Sequence, residues 1–143
     1  MEKRKVFETD FTIFYHYPEY EIGEFYYTPS TASMTEDQYK EEGSKVVEMI
    51  DELALRGFLG DLSDFAFIIT PELQDWTSDV LTKRCIEYGL ERYAMLVPNE
   101  FYTKISNEQA VEEFFEVGMD EVFRTSYFDN RDRAVEWLIG STE

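Results

Sequence analysis

The chain has 143 residues, 43% hydrophobic and 17% aromatic, which excludes a disordered linker and fits one domain with its own core. Thirty-one acids against thirteen bases give a formal charge of −18, a field that repels phosphate backbones and anionic membrane surfaces and counts against nucleic-acid binding. The single cysteine excludes a disulfide framework and any multi-cysteine zinc or iron–sulfur site within one chain.

Met1-Glu2-Lys3-Arg4-Lys5 is basic, but the apolar run of a secretory signal does not follow it. No stretch approaches the ~20 apolar residues of a spanning helix. The expectation is a cytoplasmic protein without membrane insertion. One domain is expected over residues 1–143, with 1–5 a basic tail and 141–143 a C-terminal tail. Val6 to Tyr27 reads as a β-hairpin, with Phe11, Ile13 and Tyr15 alternating against Thr12, Phe14 and His16 and a turn near Pro18. Aromatic residues on both of its faces imply that each side meets something apolar.

Thr35-Glu36-Asp37-Gln38 has the form of a capping box. Behind it Tyr39, Gly43, Val46, Val47, Ile50, Leu53 and Ala54 recur at helical spacing, predicting an amphipathic helix of about five turns. Gly57 is its expected left-handed stop, and Gly43 on the apolar stripe implies close approach to the sheet. Phe58 to Leu62 is a short buried strand. Ser63 to Ile69 is either a strand continuation or a packed loop. Thr70-Pro71-Glu72 supplies a cap, a proline at the first helical position and a favourable acid, starting a helix to about Tyr88 with Gly89 as stop. Leu73, Trp76, Thr77, Val80, Leu81 and Cys85 face inward. Tyr93 to Pro98 reads as a buried parallel strand. Ser106-Asn107-Glu108-Gln109 is a second capping box, opening a helix with Ala110, Val111, Phe114 and Phe115 on one side. Val122 to Phe128 is a strand, and Asp129 caps a last helix carrying Ala134, Val135, Trp137 and Leu138. The fold class is α/β, a mainly parallel sheet with an N-terminal antiparallel hairpin, in the order β-β-α-β-α-β-α-β-α.

Signals for chemistry are weak. Gly60-Asp61-Leu62-Ser63 is neither a Walker loop nor a dinucleotide fingerprint. A histidine-dependent mechanism would have to use His16, which sits mid-hairpin with no nucleophile motif around it and reads as a surface or packed strand residue. Cys85 reads as a buried thiol. Asp61 and Asp64 follow a central strand, where ligands gather in open α/β sheets, but short acids there more often bond the loop. No catalytic, cofactor or metal site is assigned. The candidate interaction surface is Trp76 with Asp75, Asp79 and Lys83, joined by Tyr26 and Tyr27 if one hairpin face is uncovered.

Three stretches, Ile69 to Trp76, Gly89 to Pro98, and Tyr127 to Asn130 running on through Ala134 to Leu138, resemble small bacterial STAS-like proteins, whose fold is grouped with CRAL-TRIO lipid-binding domains. The resemblance spans about Tyr15 to Leu138. It implies a non-catalytic interaction or regulatory module with a protein partner or self-association. The CRAL-TRIO side implies the alternative, a binder of a small hydrophobic or lipid-like ligand. The phosphorylated Asp-Ser-Ser-Gly-like turn of anti-sigma antagonists is replaced here by Asp61-Leu62-Ser63-Asp64, so Ser63 and Thr70 are the positions to examine for phosphorylation.

Overall fold

A computed structural model describes residues 2–100 and 123–140. Its sheet has six strands in sequential order: β1 (Arg4–Glu8), β2 (Thr12–Tyr17), β3 (Ile22–Tyr27), β4 (Gly57–Asp61), β5 (Arg92–Leu96) and β6 (Arg124–Phe128). The first three are antiparallel, and β3 through β6 run parallel. The predicted hairpin is therefore a three-stranded meander. Arg4 and Lys5 belong to β1 rather than to a tail, because backbone pairing with His16 and Tyr15 overrides their charge.

Helix α1 (Glu36–Glu52) links β3 to β4 and starts at the predicted capping box, with Thr35 and Gln38 satisfying each other. A second rod, α2, is α-helical over Pro71–Trp76, π-helical over Thr77–Thr82 and α-helical again over Lys83–Glu87. Thr70 caps it, and Gly89 beyond its end has φ +86°. Helix α3 (Arg131–Ile139) is capped by Asn130 rather than the expected Asp129. The predicted helix from Ser106, with Ala110, Val111, Phe114 and Phe115, lies outside the described residues.

Two apolar layers sandwich the sheet. On one side Phe14, Phe25, Tyr27 and Phe58 meet Val46, Val47 and Ile50 of α1 and Leu81 and Cys85 of α2. On the other, Ile22, Leu59, Ala94 and Leu96 meet Ala134, Val135 and Leu138 of α3. A sheet that advances strand by strand with crossovers of one hand keeps its connecting helices on one face. The helix α3, which follows β6, covers the other.

Two glycines act differently from expectation. Gly57 opens β4, and the left-handed position after α1 falls to Ala54 at φ +51°. Gly43 approaches α2, not the sheet: a Cβ there would lie 2.7 Å from Leu81 Cδ1. Ser63 to Ile69 is a loop, packed through Phe65 and Phe67.

Candidate functional site

Between the sheet and the two rods lies an apolar cavity of about 290 Å³. Phe25, Tyr27, Phe58, Tyr93, Met95 and Tyr127 form its floor, one from each parallel-strand position that points toward the helices. Its roof is Gly43, Val46 and Val47 of α1 and Thr77, Leu81, Thr82 and Cys85 of α2, and Phe65 and Ile69 of the loop also line it. Local sequence explains the void. Gly43 carries no side chain where the rods meet, and the π-helical turn widens α2 over the cavity, a feature that often marks functional sites. Gly60 leaves room over β4 for the tips of Phe25 and Tyr93, since a Cβ there would be 2.6 Å from Phe25 Cζ and 3.0 Å from Tyr93 Oη.

The polar groups on these walls are neutral. Burial raises the pKa of Tyr93 well above its ordinary value and that of Tyr27 likewise, and pushes Tyr127 up to about 12. Burial also pushes the Cys85 thiol up to about 12, leaving almost no thiolate for nucleophilic work at neutral pH. No carboxylate, imidazole or cationic side chain lines the cavity among the described residues. This arrangement can hold a ligand but supplies no general base.

The opposite face carries a charged cluster. Glu24, fully buried, accepts from Tyr17 Oη at 2.5 Å, from Lys3 Nζ at 3.3 Å and from Arg131. Arg131 Nη2 also donates to Asp61 Oδ2 at 2.9 Å, while the Ser63 N–H donates to Asp61 Oδ1. Every oxygen of Glu24 and Asp61 is thus engaged, as buried charges require. The cluster ties the start of α3 to β3 and β4. Asp64 accepts from Tyr26 Oη at 2.5 Å. His16 stands half-buried on β2, its pKa lowered by burial and by the Arg4 charge, and among the described residues it joins no nucleophile.

No family model, curated protein or solved structure matches this chain.

The candidate interaction residues do not form one patch. Asp75, Asp79 and Lys83 are exposed along one stripe of α2, and Trp76 is half-buried against Tyr39 with Lys40 over its ring. Tyr26 is half-buried on the sheet face that α3 leaves open. Tyr27 is a correction: strand alternation sends its ring into the core, where it is 8% exposed, so it presents no surface. Ser63 is exposed beside Asp61; Thr70 is exposed with its Oγ1 accepting from the Leu73 N–H. No helix among the described residues is long and apolar enough to cross a membrane. Sequence reasoning missed Glu24 and Arg131. The available signal was a lone acid inside Ile22-Gly23-Glu24-Phe25-Tyr26-Tyr27, where only a paired carboxylate is tolerated.

Proposed function

We propose that this protein binds a small apolar molecule in the cavity beneath α1 and α2. The carrying observation is the size of that cavity. Its walls enclose about 290 Å³ and are almost wholly apolar, so a guest that enters takes apolar surface out of water at about 25 cal/mol per Å². For scale, benzene fills an engineered apolar cavity of about 150 Å³. The volume stands at the lower end of small-molecule sites, about 300–1,000 Å³. The CRAL-TRIO side of the sequence resemblance supports the same reading.

Organic extraction of the purified protein, followed by mass spectrometry, tests it. The expected result is one apolar compound in stoichiometric amount. An empty extract, together with failure to take up an added hydrocarbon, refutes it.

A second reading, protein contact or self-association in the manner of a STAS-like module, is favoured by the outer face of β2 and β3. There Ile13, Tyr15 and Tyr26 stand half-buried, and no helix among the described residues covers them. Native mass spectrometry with affinity capture tests this reading, and a monomer with no specific partner refutes it.

A further inference from the structure

Two hydroxyls on the cavity floor, those of Tyr27 and Tyr93, have no hydrogen-bond partner among the described residues. Thr125 Oγ1 is the one side-chain polar atom among those residues that is fully enclosed without a partner. The two phenol oxygens therefore border open space, and the space these rings line is the cavity. Tyr39, also on the wall, is different, because its hydroxyl is paired with Thr77 Oγ1 at 2.7 Å. Facing open space, these hydroxyls can bond water in the free protein, and a guest that displaces that water loses affinity unless it reproduces the hydrogen bonds. A guest that accepts hydrogen bonds supplies what the chain does not.

The charge of that guest is also constrained. A carboxylate or phosphate would need a counter-ion to leave water, and the cavity wall offers no Lys, Arg or His among the described residues. After burial and Tyr39, the Glu42 carboxylate also acts on Tyr27 and is negative, and the chain as a whole carries −18. The walls are aromatic on the sheet side, with Phe25 and Phe58 in edge contact at 5.5 Å and Phe58 and Tyr93 at 6.3 Å, a surface that receives flat rings edge-on or offset.

We propose that the ligand is an uncharged, ring-containing apolar molecule whose carbonyl or ether oxygen accepts hydrogen bonds from Tyr27 and Tyr93. This rests on the ligand-binding reading above and adds the chemical class. Scaling from a benzene-sized guest in a cavity of about 150 Å³ gives a molecule of about twelve non-hydrogen atoms.

Three probes of nearly equal size separate the possibilities: methyl naphthyl ketone, ethylnaphthalene and naphthoate. Each is equilibrated by dialysis with the full chain at neutral pH. The ketone is expected to bind about fivefold to tenfold more tightly than the hydrocarbon, the range of one net neutral hydrogen bond, and naphthoate more weakly than either. Tyr93→Phe and Tyr27→Phe keep both rings and remove only hydroxyls without partners. Each should lower ketone affinity toward that of ethylnaphthalene and leave ethylnaphthalene itself unchanged. Equal affinity for ketone and hydrocarbon, or tightest binding of naphthoate, overturns the proposed class while leaving the ligand-binding reading in place. Binding of none of the three overturns that reading and this inference with it.

Discussion

Alkali should unfold this protein over a narrow interval, because burial holds several phenols neutral at once. Tyr17, Tyr27, Tyr93 and Tyr127 all have pKa values raised above the ordinary 10.0, with burial the largest cause in each case; the Glu24 carboxylate adds to it at Tyr17. In the unfolded chain the same groups ionise near 10. The folded-state value is the higher one, so the stability these groups contribute is complete below pH 10 and is lost as the pH climbs toward about 12 and beyond. Across that window the unfolded chain has released protons that the folded chain retains. Each such phenol costs about 1.4 kcal/mol per pH unit, and the four together about 5 kcal/mol per unit. Against a net stability of about 5–15 kcal/mol, unfolding falls within about one to three units above pH 10. Parallel titrations by phenolate absorbance and far-ultraviolet circular dichroism should show one group of tyrosines ionising late, in step with the loss of secondary structure. Smooth ionisation of all ten tyrosines near pH 10 with the dichroism intact would refute the burial argument.

Other outcomes follow from the same contacts. Arg131→Met strips the fully buried Glu24 and the nearly buried Asp61 of a shared cation. With Arg131's side chain 38% exposed, the loss should be about 2–4 kcal/mol by urea unfolding, below the full cost of breaking a buried pair; a change under about 0.5 kcal/mol would show the cluster to be idle. Gly60→Ala drives a methyl into Phe25 Cζ and the Tyr93 hydroxyl and should cost about 1–3 kcal/mol, with an unchanged urea midpoint counting against the close approach. Cys85, its pKa pushed to about 12, should react with an aromatic disulfide orders of magnitude more slowly in the native protein than in urea; equal rates would place the thiol at the surface.

Local chemistry is what the amino-acid sequence states most clearly. The Thr35–Gln38 box, the Thr70-Pro71 start and the Gly89 stop are each settled within a few residues, and each occurs where its side chains require. What depends on distant partners is less legible. Arg4 and Lys5 look like a solvated tail until β2 offers them a ladder. Ala54 accepts the left-handed turn that Gly57 was suited to, because tertiary position decides where the chain must reverse. The alternation of Phe25, Tyr26 and Tyr27 shows that neighbours part company but not which face a helix will cover. A cavity has no residue of its own to announce it. It arises from a glycine on α1, a π-helical turn on α2 and inward tyrosines on three strands, features that carry no shared pattern along the chain.

Whether the space beneath the two rods accepts a guest is open to direct measurement. Ethylnaphthalene is titrated into the natural protein and into Cys85→Phe, whose added ring projects from a wall residue into the cavity. The account predicts saturable one-to-one binding by the natural protein and its loss in the variant, with the variant's far-ultraviolet circular dichroism unchanged. Equal uptake by both proteins, or none by the natural one, would contradict it.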